Sequence, residues 1–198
     1  MQSSKRVLFL VCCLSLITSV AVAAEGTDQA MDPQMQAWMK AIKPGPEHAW
    51  LAKSVGSWKM KISMWMDPSQ PPQISESTSE RTMAMGGRYL IEKVTGTSMG
   101  MPFEGMGTTA FDNVDKKFHS TWIDNFGTGV MISVGSCDTD FKQCTFTGTM
   151  NDPMTGKSVT ARMVETHPDP DHFAFDMYNP GPDGKEVRSM RLEATRVK

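Results

Sequence analysis

The feature that most constrains this chain is a succession of short strand-like segments that begins at Gly56 and continues to the C-terminal end. Turn sequences rich in Gly, Pro, Asn and Asp separate the segments at intervals of roughly 8–14 residues, with no helical pattern between them. Strands joined by short turns form an antiparallel meander. The sequence predicts an all-β fold, a closed up-and-down barrel of about ten strands, because closure removes the exposed strand edges that invite aggregation.

A predicted hairpin over Phe103–Asn125 lies at the centre of this pattern. Its turn, at 112–116, is rich in residues that tolerate turn geometry. Gly105 and Gly107 fall inside its first strand, where glycine marks a bulge or a close approach of another group to the backbone.

The second strand of this hairpin places Trp122 and Asp124 on one face, because they are two residues apart. An apolar ring beside a carboxylate fits either the mouth of a barrel or a satisfied structural pair. By the same parity His119 lies on the opposite face, so the sequence argues against a dyad of His119 with Asp124.

The first predicted strand alternates apolar and polar positions almost perfectly. Its apolar positions are Trp58, Met60, Ile62, Met64 and Met66. A repeat of two predicts a strand with one face buried, so these side chains should line the interior.

Two short helical segments should precede the strands. Asp32-Pro33 provides an N-cap and a first-turn proline, and an apolar stripe follows at the spacing of one helix face. The stripe consists of Met35, Trp38, Met39 and Ile42. A second segment, 47–55, carries Trp50 and Leu51. We expect both helices to pack as a cap on the sheet, with a mobile lid as the alternative.

The first 24 residues predict a secretory signal peptide: Lys5 and Arg6 precede an apolar run, and small residues near Ala23 and Ala24 suit cleavage. We therefore expect an exported protein, periplasmic or secreted, without an integral membrane segment. The predicted organisation is a signal peptide at 1–24, a leader and N-terminal helix at 25–45, and a barrel domain at 46–198.

The net charge of the predicted mature chain argues against two classes of partner. Cleavage would leave 18 basic side chains against 22 acidic ones. A net charge near −4 disfavours binding to nucleic acid and to anionic membranes, both of which need a basic surface.

Cleavage would also leave two cysteines, Cys137 and Cys144, on either side of a polar turn between two strands. Residues that face each other across a hairpin are close enough to bond in an oxidising compartment, which predicts a structural disulfide. The alternative is a redox-active pair, although the spacing differs from Cys-x-x-Cys.

A short helix that runs into Gly56-Ser57-Trp58 at the first strand of a meander resembles the calycin superfamily, which includes lipocalins, fatty-acid-binding proteins and nitrobindin-like barrels. In those barrels a first-strand Trp packs on an Arg from near the end of the chain. The resemblance implies a structural pair of Trp58 with Arg196.

Nearly the whole mature chain also resembles the bacterial domain of unknown function 1579 family. The segments that carry this resemblance are 44–48, 55–58, 86–88, 101–105, 111–113, 121–124, 152–156 and 181–185. The chain departs from the family pattern at Ala110-Phe111, where Gly-Tyr is usual, and at Cys137, where Tyr is more usual, which would make the disulfide local to this branch. The resemblance implies the fold and carries no chemistry.

The sequence predicts no metal or cofactor site. The segment His167–His172 holds imidazoles and carboxylates, but it is also a strong turn sequence, so we interpret it as a solvated turn. The methionine clusters could bind Cu(I), but we interpret them as core or pocket lining. Haem ligation through His119, His167 or His172 is conceivable only by analogy with nitrobindin-like barrels.

The leading functional hypothesis is a barrel that binds a small, mainly apolar ligand. Candidate binding residues are Met60, Met64, Arg88, Trp122 and Asp124. A filled barrel acting as a structural or interaction module is the second hypothesis. An enzyme with Asp124 or Glu104 as its base is the third, and it should show a cavity carboxylate with a raised pKa.

Overall fold

The computed structural model describes residues 31–152, 155–181 and 183–198. The predicted signal peptide lies outside these residues, as does most of the leader. The described residues form two short helices and ten strands. Their bounds are α1 Pro33–Ala41, α2 Pro46–Lys53, β1 Gly56–Met64, β2 Gln73–Ala84, β3 Tyr89–Ser98, β4 Met101–Asp112, β5 Lys117–Asp124, β6 Met131–Cys137, β7 Gln143–Asp152, β8 Lys157–Asp169, β9 His172–Pro180 and β10 Glu186–Arg196.

The ten strands form one closed antiparallel barrel in which each strand pairs with its sequence neighbours and β1 pairs with β10. The predicted fold is confirmed. Along β1 the side chains of Trp58 and Met60 are buried while Lys59 and Lys61 are exposed, as the repeat of two requires. Met66 lies beyond the end of this strand and is exposed, so its predicted place on the buried face was wrong.

The two ends of the barrel differ, and we name them by what covers them. At the helix end, α2 packs across the opening, and Leu51 joins a buried cluster that includes Phe118, Phe146 and Met163. At the opposite end, which we call the loop end, the interior is bordered by half-buried side chains from strand ends and loops.

The first helix does not cap the barrel, contrary to the prediction. Asp32 caps it as expected, since its Oδ1 accepts from the Gln34 amide at 3.3 Å. All four residues of the predicted apolar stripe are exposed, with Trp38 at 56%. The barrel holds only the C-terminal end of α1, where Asn113 Nδ2 donates to the Ala41 carbonyl at 2.9 Å. The residues that pack against the helix end come instead from α2, where Trp50 and Leu51 join the buried cluster.

Cys137 and Cys144 lie directly opposite each other in β6 and β7 and form the predicted disulfide. Cys144 is completely buried beside Phe118 and Phe146. The disulfide therefore ties the hairpin that forms part of the helix end.

Candidate functional site

The barrel encloses a cavity of about 1180 Å³, which is lined by inward-facing side chains from all ten strands. Eight of the 18 methionines border it, among them Met60, Met64, Met163 and Met190. Methionine is flexible and polarizable, so such a wall adapts to ligands of different shape. Polar side chains also border the cavity, and two groups of them are joined by hydrogen bonds or ion pairs, one at the loop end and one near α2.

At the loop end the indole of Trp122 lies against the backbone of β4. A Cβ on Gly105 would overlap the indole, and one on Gly107 would lie 3.2 Å from Trp122 Cε3. The register from β3 through β4 to β5 is continuous here. These glycines therefore serve the close approach expected from the sequence and form no bulge.

Trp122 and Asp124 form a hydrogen-bonded pair on the cavity wall. Trp122 Nε1 donates to Asp124 Oδ2 at 2.9 Å, and Asp124 Oδ1 accepts from the Phe126 amide at 3.0 Å. The sequence left two interpretations open, a barrel mouth and a satisfied structural pair, and the geometry shows both at once. Phe103 and Phe126 extend this wall, with their ring centroids 5.3 Å apart.

Met60 and Met64 both border the cavity, at different depths. Met60 is 3% exposed and packs with Trp58, Val94 and Phe173 in the middle of the barrel. Met64 is half-buried at the end of β1, near the loop end.

Arg88 and Glu104 do not reach the cavity. Arg88 follows the β2–β3 turn, and its guanidinium donates to the carbonyls of Met85 and Ile42, each at 3.0 Å. Glu104 lies on the outer face of β4 and is exposed. The prediction that Arg88 stands beside Trp122 and Asp124 was wrong, because the turn carries it to the outside of the helix end.

Trp58 and Arg196 lie directly opposite each other in β1 and β10. The guanidinium carbon of Arg196 lies 4.2 Å from the centroid of the indole, which is the contact that the calycin resemblance implied. Arg196 also donates to the Lys53 and Val55 carbonyls at 2.7 Å, and to Pro170 and Asp171. This arginine therefore ties the end of α2 to the barrel, and its donors are occupied by the protein.

Four charged or titratable side chains form a second polar level near α2, which we call the floor group: Arg81, Glu92, Glu165 and His167. Arg81 Nε and Nη2 donate to the two carboxylate oxygens of Glu92 at 2.9 and 3.2 Å. The Arg81 guanidinium also lies 4.1 Å from the Phe173 ring centroid. An arginine bound to a carboxylate and covered by an aromatic ring is a stable way to hold charge inside a barrel.

Glu165 is paired with His167, whose Nε2 lies 2.8 Å from Glu165 Oε1. His167 Nε2 nevertheless makes no well-directed hydrogen bond to a described residue. Burial opposes ionisation of Glu165, but the neighbouring His167 and Arg81 outweigh it and lower the pKa of that carboxyl below its ordinary value. The floor group therefore holds an ionised carboxylate whose hydrogen-bonding capacity is incompletely used.

Sequence reasoning missed the floor group, apart from His167, which it placed in a solvated turn. The structure extends β8 to Asp169, so that His167 packs inside against Trp50 at 5.2 Å between ring centroids. The signal was present, because Ala161, Met163, Glu165 and His167 alternate at a spacing of two. A strand face that begins with buried apolar residues carries its later polar residues inside as well.

The remaining histidines lie away from the cavity wall. His48 Nδ1 accepts from the Gly45 amide at 3.0 Å, and burial as the main cause lowers its pKa. His172 pairs with Asp169 at 2.9 Å on the surface. His119 lies on the face opposite Asp124, as predicted, and its Nε2 contacts Asp115 Oδ2 at 2.7 Å. Asp112 lies close enough to that pair to complete a set of three oxygen and nitrogen ligands on an exposed turn.

Comparison with known proteins identifies the family. Residues 43–196 match the profile of a family described as "Protein of unknown function (DUF1579)". The chain belongs to this family. No curated protein matches the sequence. In the DUF1579 chain, no helix among the described residues combines the length and apolar character needed to cross a membrane.

Solved structures with the same fold are distant in sequence. The crystal structure of Rv2717c from M. tuberculosis aligns with a TM-score of 0.59 at 14% identity, over 79% of this chain and 100% of that one. The S-type phycobiliprotein lyase CPES from Guillardia theta aligns with a TM-score of 0.51 at 12% identity, over 81% and 97% of the two chains. At identities of 14% and 12%, the likeness to these two structures shows a shared fold and nothing more.

Proposed function

We propose that this DUF1579 protein binds one small, mainly apolar molecule inside its barrel. The observation that carries the proposal is the cavity of about 1180 Å³ within a closed barrel. Pockets for small molecules typically measure about 300–1,000 Å³ and combine apolar walls with a few placed polar groups. This cavity has such a wall, with polar groups at Trp122–Asp124 and at the floor group.

The cavity also weighs against the second hypothesis, a barrel filled by its own side chains. Trp122, Phe103 and Met64 are large and point inward, yet they remain half-buried at the edge of the cavity. Interior packing is dense from α2 to the middle of the barrel, where Phe118, Trp58 and Met60 are each at most 3% exposed, and it loosens toward the loop end. A filled module would show comparable burial along the whole axis.

The enzymatic alternative has less support than binding. Glu104 lies outside the cavity, and Asp124 is engaged by Trp122 and by the Phe126 amide. The pKa of Glu165 is lowered, whereas a general acid–base carboxylate at neutral pH needs a raised pKa. The name of the Guillardia theta protein assigns lyase activity to that protein, and the likeness supports only a shared barrel here.

The proposal includes export. The pattern of residues 1–24 supports it, and so does the disulfide between Cys137 and Cys144, since such bonds persist in oxidising compartments. Loading of the barrel would then take place outside the cytoplasm.

Native mass spectrometry of the protein purified from its own periplasm, followed by organic extraction, tests the proposal. We expect a mature chain that begins near residue 24 or 25 and carries one discrete additional mass, which extraction releases. An apo mass, together with no binding of apolar fluorescent probes to the purified protein, would contradict it.

A further inference from the structure

Two carboxylates keep part of their surface at the bottom of the cavity, beside His167, whose side chain is 18% exposed. Within the floor group, the side chains of Glu92 and Glu165 are 19% and 21% exposed, whereas that of Arg81 is 7% exposed. The surface that Glu92 and Glu165 retain borders the cavity, because both line it. The arginine is the less accessible partner, held between the Glu92 carboxylate and the Phe173 ring.

The other arginine that borders the cavity near α2 is not available to a ligand either. Arg196 lies on Trp58 and directs its guanidinium donors to carbonyls of the chain and to Asp171. A carboxylate-ended ligand would therefore meet two carboxylates and no accessible arginine in the floor group. The lysines that border the cavity at this end, Lys53 and Lys142, are exposed to solvent and lie outside that group.

The Glu165 carboxylate can accept further hydrogen bonds from a ligand. Among the described residues its ion-pair partner is His167 alone, at 2.8 Å, and His167 Nε2 makes no well-directed hydrogen bond there. An ionised carboxylate offers about four acceptor positions, and buried charges are normally well supplied with donors. Glu165 uses less of this capacity than Asp124 does, since Asp124 accepts one directed hydrogen bond on each oxygen.

The dimensions fit an elongated molecule that spans the cavity. Six residues of β1 separate Trp58, near the floor group, from Met64 at the loop end. At about 3.3 Å per residue and a strand tilt of roughly 40°, this separation is about 15 Å along the barrel axis. An extended alkyl chain of dodecyl length covers that distance.

We propose that the ligand is an amphipathic cation, an apolar chain or ring system ending in a protonated nitrogen that donates to Glu165 and Glu92 at the floor of the cavity. This inference rests on the proposed function and adds the class of ligand. The protonated nitrogen supplies the donors that Glu165 lacks, while the methionine wall covers the apolar part. Fatty-acid anions of the same length are disfavoured by the two carboxylates.

The test compares dodecylamine with dodecanoate, both below the concentrations at which they aggregate, as competitors for a bound apolar fluorescent probe. We expect dodecylamine to displace the probe with a Kd at least tenfold lower than that of dodecanoate. We expect Glu165→Gln to reduce this ratio several-fold. Glu104→Gln, which removes a carboxylate from the outer face of β4, should leave the ratio unchanged.

Three other results would overturn the inference. Dodecanoate binding as tightly as dodecylamine would overturn the inference and leave the proposed function intact. A ratio unchanged by Glu165→Gln, in a variant whose circular dichroism and Tm show that it is folded, would also overturn it. Failure of the probe and both competitors to bind the unmodified protein would overturn the inference and the proposed function together. If Glu165→Gln does not fold, the ratio for the unmodified protein still decides.

Discussion

The helix end and the loop end of the barrel are built from the same ten strands, yet they use their interior positions differently. At the helix end Phe118, Phe146, Met163 and Leu51 are almost completely buried against one another. At the loop end Met64, Phe103 and Trp122 are half-buried and border open space. The two ends therefore have different roles in this account. Buried side chains at the helix end stabilise the fold, while half-buried side chains at the loop end leave the interior accessible to a ligand.

The largest expected effect comes from removing packing at the helix end. Phe118→Ala should lower the free energy of unfolding by about 3–5 kcal/mol, because a fully buried ring leaves a cavity among rigid neighbours. Met64→Ala at the loop end should cost only about 1 kcal/mol, because Met64 already faces open space. Urea unfolding of both variants measures the difference, and equal losses would contradict the division into two ends.

Loss of the disulfide should produce the next largest effect. The bond closes a loop between residues seven apart, so its removal in Cys137→Ala/Cys144→Ala should cost roughly 2–3 kcal/mol. The loss belongs to the helix end, since Cys144 is part of its buried cluster. Probe affinity under conditions where the variant is folded should therefore change little, and a large loss of affinity would show that the two ends are coupled.

A smaller effect on stability, with a large effect on binding, is expected at Gly105. A methyl group there would overlap the Trp122 indole and displace it from the cavity wall. Gly105→Ala should cost about 1–3 kcal/mol and weaken probe binding by at least tenfold. Gly129→Ala is the matched control, because a Cβ at Gly129 meets nothing within 4 Å and its backbone φ is not positive. Trp fluorescence and probe titration check both, and unchanged probe binding in Gly105→Ala would contradict the role given to Trp122.

The smallest expected effect is on the pH dependence of stability. The pKa of Glu165 is lowered in the folded protein, so the unfolded chain binds its proton at a higher pH than the folded chain does. Its contribution to stability is therefore present above the unfolded-state pKa near 4.3 and is lost as the pH falls through the lower folded-state pKa. Urea unfolding between pH 6 and pH 3 should show a steeper loss for the unmodified protein than for Glu165→Gln. Parallel curves would contradict the ionised state of Glu165.

The fold was predictable because its signals are local. The alternation from Trp58 to Met64 and the turn at 112–116 each lie within one or two strands, and short turns leave an antiparallel meander as the simplest pairing. The approach of Trp122 to Gly105 was foreseeable for the same reason, since both belong to one hairpin.

The candidate site was only partly predictable, because it depends on which strands meet across the closed barrel. Arg81 and Glu92 are partners in adjacent strands, but Glu165 reaches them from β8, on another part of the wall. No local pattern gives that proximity. Arg88 was a candidate because pockets pair apolar walls with a few placed polar groups, although charged residues near strand ends usually lie on the solvated rim. The turn geometry directs it to the carbonyls of Ile42 and Met85.

The most direct test of the account is to fill the cavity from its wall. Ser120 and Thr121 are adjacent in β5, but Ser120 lines the cavity and Thr121 is exposed on the outer face. We predict that Ser120→Trp abolishes binding of an apolar fluorescent probe in a folded barrel, while Thr121→Trp binds it as the unmodified protein does. Equal binding by the two variants would show that the probe sits outside the barrel and would contradict an open, ligand-holding interior.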